Sequence, residues 1–401
     1  MEWKTIWSYL PLDFGINIGV IKKTIQKTIF WNNVDGQKIR VKFTNLYGNK
    51  ALKMKAVSAN IYKEGEISDR KDVFLTLNRQ KEIVLEPGEE CYSDEVDFEI
   101  RNSENLILSI YFEDEVEVHQ ACCTWSNASW HTVYEQDKTI LKSCDEDRDE
   151  FYSYEVFPFI EKYMSKADLL VGISEIRLYT ERDVRILSLF GDSITHMSYY
   201  SDALMKRLYK EFPGKLIVLN KGIGGNKLLS DASYLAAIPG HGKSSGRAGI
   251  HRFTKDVFET ECPDFVYILI GVNDLMHPYL LKQEDLIPSE EALIAAYTEM
   301  ILYAHQKGSQ VYLCTIMPLK GETIPFGTKG EEVRKKVNLW IRNQDLSDGV
   351  IDFDRATARD KEYMKEELHI GDGLHPNEKG GKVMAEEAVN TGGIYYGVVT
   401  S

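Results

Sequence analysis

Residues 185–201 read RILSLFGDSITHMSYYS, and the fold of the second half of the chain is organised around them. Residues 186–190 form a short, almost wholly apolar run, which is typical of a strand buried on both faces of a parallel sheet. Gly191 ends the run, and residues compatible with a helix follow. Ser193 is thus predicted at the carboxyl end of a buried strand and near a helix N-terminus, where open α/β sheets bind ligands and negative charge is favoured. A serine that merely caps the helix fits this stretch equally well.

Downstream of this stretch, strand and helix patterns alternate. Further buried strands are predicted at residues 216–220, 265–270, 310–316 and 350–353. The clearest helix covers residues 289–307, with Ser289 as its cap and Gly308 at its end. A last helix is predicted over residues 377–389, with Pro376 at its first position. Five buried strands with crossover helices predict a doubly wound, three-layer α/β/α sheet.

The first part of the chain has a different pattern. In residues 39–44, apolar side chains alternate with polar ones, as in a half-buried strand, and turn sequences such as Asp35-Gly36 separate several segments of this kind. Many short strands at this spacing predict an antiparallel β-sandwich. We therefore predict a jelly-roll-like β-sandwich domain over residues 1–182 and an α/β domain over residues 183–401.

Composition narrows the classes of partner and compartment. The 401-residue chain has a formal net charge of −14, which argues against binding to nucleic acid or to anionic membranes. It shows neither an apolar run long enough to span a bilayer nor a signal-peptide pattern. The six cysteines have no metal-type spacing, so we interpret them as reduced thiols of a cytoplasmic protein: Cys91, Cys122, Cys123, Cys144, Cys262 and Cys314. The acidic run at residues 144–150 is predicted to be a solvated loop.

Three further loops leave the same predicted edge of the sheet. The second strand leads into residues 220–226 (NKGIGGN), where glycines let backbone N–H groups approach a ligand. The third strand leads into Gly271-Val-Asn273-Asp274, and residues 372–376 read DGLHP near the carboxyl end. Each loop alone has an ordinary structural interpretation. A histidine with a carboxylate three residues before it is nevertheless a reasonable candidate for an oriented base.

Together these loops supply the groups that acyl transfer requires. Ser193 is the predicted nucleophile, His375 the base that takes its proton, and Asp372 the carboxylate that fixes the imidazole tautomer. The backbone N–H groups of Ser193 and Gly225 and the side-chain amide of Asn273 are the predicted oxyanion hole. The neighbouring polar residues Asp192, Asn226 and Asp274 are predicted substrate contacts.

These four sequence blocks resemble those of the SGNH (GDSL-type) hydrolase superfamily. The resemblance covers residues 184–389, with GDSI in place of GDSL in the first block. It implies a flavodoxin-like fold, ester hydrolysis without a metal or other cofactor, and the residue roles given above. Residues 37–48 and 86–94 are similar, more loosely, to a bacterial two-domain subgroup in which a β-sandwich precedes the hydrolase domain.

The leading hypothesis is a serine esterase that removes small acyl groups, above all O-acetyl groups, from saccharides. Its partner would be a small-molecule ester or an acetylated oligosaccharide. The sequence is also compatible with a homo-oligomer. A lipase or acyl-thioesterase of the same fold is the alternative within the family. Two alternatives come from other classes: a non-catalytic carbohydrate-binding protein, and a metal-dependent phosphoesterase that uses Asp192, Asn273, Asp274 and His375 as ligands.

Two minor hypotheses concern other side chains. His196, three residues after Ser193, could act as an alternative base, although a residue so close in sequence need not point at the serine; we interpret it as lining the site. Trp125 and Trp130 could form a platform for a sugar ring, but packing in the core of the sandwich is the favoured interpretation.

Overall fold

The computed structural model describes residues 1–136, 150–164, 166–236, 239–320, 327–360 and 362–391, together with residues 393 and 398. Within this part of the chain there are two compact units. The first comprises residues 1–184 with 213–217, and the second comprises residues 185–212 with 218–401.

The first unit is built almost entirely from antiparallel strands. Its strands are β1 (Glu2–Ser8), β2 (Leu12–Asp13), β3 (Gly19–Ile21), β4 (Thr24–Phe30), β5 (Gly36–Thr44), β6 (Leu52–Met54), β7 (Ala56–Lys63), β8 (Glu66–Ile67), β9 (Val73–Leu75), β10 (Ile83–Leu85), β11 (Glu90–Tyr92), β12 (Val96–Ile100), β13 (Asn105–Phe112), β14 (Val116–Val118), β15 (Gln120–Thr124), β16 (Trp130–Glu135), β17 (Glu150–Tyr152), β18 (Asp168–Leu170) and β19 (Ile173–Thr180). Two short helices, α1 (Ser153–Val156) and α2 (Pro158–Tyr163), precede β18.

Two large sheets form the body of this β-sandwich. One has the strand order β1-β19-β5-β11, with β12 also paired to β5, and the other has the order β17-β16-β4-β13-β7-β8, with β9 paired to β7. In β5 the side chains of Ile39, Val41 and Phe43 are fully buried, while the intervening Arg40 and Lys42 are not. The alternation read from the sequence thus gives β5 one core-facing side.

The two tryptophans take different places in this unit. Trp130 is buried and packs edge-on against the rings of Trp7 and Tyr9, so its interpretation as a core residue is confirmed. Trp125 is half-buried, and its indole N–H donates to the carbonyl oxygen of Met164 at 2.8 Å.

The second unit carries the parallel sheet. Its strands are β20 (Arg185–Gly191), β21 (Leu216–Gly222), β22 (Phe265–Leu269), β23 (Gln310–Cys314) and β24 (Gly349–Ile351), and its helices are α3 (Ser193–His196), α4 (Tyr199–Glu211), α5 (Gly249–Phe258), α6 (Val272–Leu280), α7 (Glu290–Gln306), α8 (Thr328–Asn343), α9 (Phe353–Thr357) and α10 (Glu378–Thr391). The strand order β21-β20-β22-β23-β24 is that of flavodoxin-like sheets. Helices α4 and α10 pack together, as do α5 and α7, which gives the three layers predicted from the sequence.

Local signals set the ends of several elements. In α7, the Ser289 hydroxyl accepts the N–H of Ala292, and Gly308 takes a positive φ of +85° just after the helix. Both features agree with the sequence prediction. The strand at residues 216–220, by contrast, runs on to Gly222, so the first glycine of that block lies in the sheet and not in a loop.

Two predictions near the site need correction. Gly271 adopts a φ of +121° and begins α6 directly, so Asn273 and Asp274 lie in the first turn of a helix instead of in a loop. Pro376 is not the first helical residue, because α10 begins at Glu378. The side-chain oxygen of Asn377 accepts the N–H groups of Lys379 and Gly380 and caps the helix, while Pro376 pairs with His369 in a β-bridge.

The five described cysteines are free thiols, and Cys314 is buried as predicted; Cys144 lies outside the described residues. So does most of the acidic run, but its last residue, Glu150, begins β17 and is not part of a loop. Within the described part of the chain, no helix is both long and apolar enough to cross a membrane.

Candidate active site

The turn between β20 and α3 presents Ser193. Asp192 precedes it, is buried, and accepts the N–H of Ile194 at 3.0 Å, so its carboxylate caps α3. The turn is tight, because a Cβ atom on Gly191 would lie 2.2 Å from Oγ1 of Thr195 and 2.5 Å from the carbonyl oxygen of Leu269. The side chain of Ser193 is only half-buried and is therefore accessible at the sheet edge.

The loop before α10 brings a histidine and a carboxylate to this serine. Nε2 of His375 lies 2.8 Å from Oγ of Ser193, and Nδ1 of His375 lies 2.5 Å from Oδ2 of Asp372. The other oxygen of Asp372 accepts the N–H groups of Leu374 and His375, both at 2.9 Å. The structure thus brings together the three side chains that the sequence predicted as a catalytic group.

The electrostatics of Asp372 favour its ionised form. Partial burial opposes ionisation, but the hydrogen bond and charge of His375 and the two backbone N–H groups outweigh it, so the pKa of Asp372 is lowered. A carboxylate that stays ionised can hold the imidazole in the tautomer with a proton on Nδ1. That tautomer leaves Nε2 free to accept the proton of Ser193.

The three donor groups predicted for the oxyanion hole keep a hydrogen that no acceptor in the described residues takes up. In the described residues, no acceptor lies in hydrogen-bonding geometry to the backbone N–H of Ser193 or of Gly225. Gly225 has a φ of +73°, and a Cβ atom there would lie 2.4 Å from Oγ of Ser245, so only glycine fits this turn. The amide of Asn273 donates one hydrogen to the carbonyl oxygen of Asn226 at 2.9 Å, which leaves its second hydrogen for a ligand.

Sequence comparison is consistent with this geometry. Residues 189–383 match the model of the GDSL-like lipase/acylhydrolase family. This part of the chain is a GDSL-like lipase/acylhydrolase domain. The family resemblance predicted from the four sequence blocks is confirmed, and this match supports ester hydrolysis as the general chemistry of the domain. No curated protein matches the chain.

Solved structures similar to the GDSL-like domain cover about half of this chain. An α/β-hydrolase enzyme, LAE5, from the metagenome of Lake Arreo, Spain, is 21% identical, with 51% of this chain and 94% of that chain covered and a TM-score of 0.40. A variant of the acetyl xylan esterase Axe2 from Geobacillus stearothermophilus is 18% identical, with 51% and 93% covered and a TM-score of 0.40. The acetyl xylan esterase AlAXEase is 19% identical, with 51% and 98% covered and a TM-score of 0.38.

Two of the predicted substrate contacts in the GDSL-like domain are enclosed by the protein. Asp192 is buried and caps α3, and burial raises its pKa to about 7. Asn226 is fully buried: its amide donates to the carbonyl oxygens of Ser245 and Arg247, and its side-chain oxygen accepts from Arg252. Because these side chains already form hydrogen bonds within the protein, we no longer propose that they contact the substrate.

Asp274, the third of these residues, lies in the wall of a cavity. This cavity of about 210 Å³ is lined by Lys227, Leu229, Ser230, Ser233, Asp274, Pro278, Leu281, Gln283, Leu286 and Pro288. Both carboxylate oxygens of Asp274 accept backbone N–H groups, from Leu228 and Leu229, and burial raises its pKa to about 6. Asp274 is therefore part of the cavity wall, but both of its carboxylate oxygens already accept hydrogen bonds from the protein.

His196 supports the glycine turn. Its ring is fully buried, and Nδ1 accepts the N–H of Gly224 at 3.1 Å. Burial, with the nearby charge of Arg252, lowers the pKa of His196 to about 3, so the ring is neutral at physiological pH. The imidazole beside Ser193 is that of His375, and the hypothesis that His196 is an alternative base is set aside.

Arg252 was not predicted as a site residue from the sequence, although its side chain hydrogen-bonds to the backbone on both sides of the proposed site. It lies in α5, where its spacing of four residues from Asp256 is that of an ordinary helical ion pair. Its guanidinium is buried and contacts both the β20 and the β21 strand ends. A buried arginine beside strand ends has no sequence signature, because the groups it binds are backbone carbonyls.

Proposed function

We propose that this protein is a serine esterase that hydrolyses small acyl esters with Ser193 as nucleophile, His375 as general base and Asp372 as the orienting carboxylate. The observation that carries the proposal is the position of the His375 ring. One ring nitrogen lies 2.8 Å from the Ser193 hydroxyl and the other lies 2.5 Å from the Asp372 carboxylate. A histidine bridged in this way can take a proton from the serine and return it to a leaving group.

The reaction follows from these contacts. Oγ of Ser193 attacks the ester carbonyl carbon while Nε2 of His375 takes its proton. The carbonyl oxygen becomes an oxyanion, which the N–H groups of Ser193 and Gly225 and the amide of Asn273 stabilise. The tetrahedral intermediate collapses, and His375 gives its proton to the departing alcohol. Water, activated by His375, then attacks the acyl-serine; collapse releases the carboxylic acid and restores the serine hydroxyl.

We propose an O-acetyl group on a soluble saccharide as the substrate. The cavity of about 210 Å³ is lined by Lys227 and Asp274, the chain neighbours of Asn226 and Asn273, and its wall combines hydrogen-bonding side chains with leucines and prolines. The hydrogen-bonding side chains in this wall could bind the hydroxyl groups of an alcohol portion, which supports a saccharide ester as the substrate. A lipase or thioesterase of the same fold would need a longer apolar channel. The free thiols of the described cysteines support a reducing compartment, the cytoplasm.

A metal-dependent phosphoesterase receives no support from the donor groups. The carboxylates of Asp192 and Asp274 already accept backbone N–H groups. In the residues that the structure describes, no three His, Cys, Asp or Glu side chains are grouped as a metal site would need. We therefore propose a mechanism that uses no metal, which an EDTA control can test.

A hydrolysis panel tests the proposal. We expect acetylated oligosaccharides and aryl acetates to be hydrolysed, with rates that fall as the acyl chain lengthens. Preincubation with EDTA should leave the rate unchanged, whereas an organophosphate that phosphorylates serine should abolish it and label Ser193. Loss of activity with EDTA, or labelling without any inhibition, would contradict a serine mechanism. Faster hydrolysis of long acyl chains would instead favour the lipase alternative.

The pH profile is a second expected result. Activity should fall by about tenfold per pH unit on the acid side, because protonated His375 cannot accept the serine proton. The lowered pKa of Asp372 keeps that carboxylate ionised over this range, so it should not contribute to the acid limb. Asp192, whose pKa is raised to about 7, also gains a proton on acidification, so its effect on activity must be distinguished from that of His375. In an Asp192→Asn variant the acid limb should persist; its disappearance would assign the ionisation to Asp192 and not to His375.

A further inference from the structure

We infer that Arg252 is a positioning residue that holds the oxyanion hole in register with the nucleophile. The inference rests on the proposed function, because it concerns how Asn273 and the glycine turn are kept in place. Arg252 touches neither the nucleophile nor the base, so its effect must pass through the residues that it binds.

The guanidinium of Arg252 joins the two strand ends that carry the site. It is 4% exposed. Nη2 donates to the carbonyl oxygen of Gly191 at 2.8 Å, two residues before Ser193, and Nη1 donates to the carbonyl oxygen of Lys221 at 3.0 Å, at the end of β21. The cation also lies 4.2 Å from the ring centroid of Phe190 in β20. One rigid planar group thus sets the spacing between the nucleophile turn and the glycine turn.

A second set of contacts runs from Arg252 to Asn273. Nε of Arg252 donates to Oδ1 of Asn226 at 2.9 Å, which fixes the orientation of an amide whose nitrogen donates to the carbonyl oxygens of Ser245 and Arg247. The backbone carbonyl of the same Asn226 accepts the amide of Asn273 at 2.9 Å. The amide plane of Asn273, and hence the direction of its second N–H, depends on where Asn226 lies.

Lysine cannot reproduce this arrangement. Asp256 balances the charge of Arg252 at 2.9 Å, so a positive charge is tolerated at this position. A lysine ammonium, however, is a single point at the end of a flexible stem and lacks the planar fork that reaches four acceptors in fixed directions. Arg252→Lys therefore keeps the charge and loses the geometry.

A double-mutant cycle with Asn273→Ala tests the inference. With an activated acetate ester, Arg252→Lys should lower kcat by about tenfold to fiftyfold and change KM by less than about twofold, since only transition-state binding is disturbed. In the Asn273→Ala background, the same change should lower kcat by less than about threefold, because the group that Arg252 positions is already gone. If the two losses multiply, Arg252 does not act through Asn273 and the inference is wrong.

Arg334→Lys is the matched control. Arg334 is as deeply buried in the same domain, but it binds Glu331, Asp354 and the carbonyl oxygen of Ile316, away from the glycine turn. Its effect on kcat should be small and should multiply with that of Asn273→Ala. Thermal unfolding should be recorded for every variant. If Arg252→Lys does not fold, Asn226→Ala replaces it in the same cycle with Asn273→Ala. This substitution removes the hydrogen bond between Arg252 and the Asn226 side chain, while Arg252 keeps its other contacts.

The outcomes separate this inference from the proposed function. If Asn273→Ala alone leaves kcat unchanged, the proposed oxyanion hole is wrong, and the inference falls with it. If Asn273→Ala is severe but the cycle is multiplicative, the proposed function stands and the role of Arg252 is refuted.

Discussion

Ser193→Ala is expected to lower kcat for an activated acetate ester by about a thousandfold or more, with little change in the folded structure. The substitution removes only the hydroxyl of Ser193; the backbone N–H of this residue and the other oxyanion donors stay in place and give the residual rate. Initial rates with p-nitrophenyl acetate, together with a thermal unfolding curve, measure both parts of the expectation.

His375→Ala should be about as damaging, and the double variant should be no slower than either single variant, since the serine and the histidine act as one unit. Ser188→Ala is the matched control. It removes a buried hydroxyl from β20, the strand that leads to the nucleophile, five residues before Ser193, and should leave kcat within about twofold. Near-normal turnover by purified Ser193→Ala or His375→Ala would refute the proposed roles.

Asn273→Ala is expected to cost roughly 2.7–4 kcal/mol of transition-state stabilisation, or about a hundredfold to a thousandfold in kcat. The amide of Asn273 has one hydrogen committed to Asn226, so the other is the donor whose loss is measured. KM should change little, because the ester oxygen bears its full charge only in the transition state. Steady-state kinetics on two esters with different alcohol portions should give the same loss.

Asn338→Ala supplies the control for this variant. Asn338 is also buried and bonded to backbone, with its amide donating to and its oxygen accepting from Ile316, but it lies in α8 and outside the proposed oxyanion hole. It should lower the unfolding temperature without a hundredfold loss of kcat. A rise in KM alone for Asn273→Ala would show that the residue binds the ground state instead.

Much of the fold could be predicted from the sequence because its signals are local. The apolar run at residues 186–190, the alternation in β5 and the cap at Ser289 each reflect the chemistry of a few neighbouring residues. The junctions were less predictable. α10 begins at Glu378 with Asn377 as its cap, and Pro376 is not its first residue, because Pro376 pairs with His369 in a β-bridge.

The proposed catalytic residues could be predicted from the sequence, because they are chemically distinctive and follow predicted strands. The buried residues that hold them in place could not. Ser193, His375 and Asp372 belong to short blocks with recognisable spacing. Asp192 shares a block with Ser193, and Asn226 ends the glycine block, yet both side chains are enclosed by the protein. Asp192 caps its own helix through Ile194, whereas the orientation of Asn226 depends on partners farther along the chain. For Asn226 those partners are Ser245, Arg247 and Arg252, which are 19 to 26 residues away.

The hydrogen bond between Ser193 and His375 joins residues that are 182 positions apart in the chain. A ribosome adds roughly 5–20 residues per second, so roughly 10–40 s separate the synthesis of the serine from that of the histidine. During this interval the nascent chain carries the nucleophile without its base. The growing polypeptide should therefore be unable to acylate itself on Ser193, and esterase activity should first appear only after the segment that precedes α10 has left the exit tunnel.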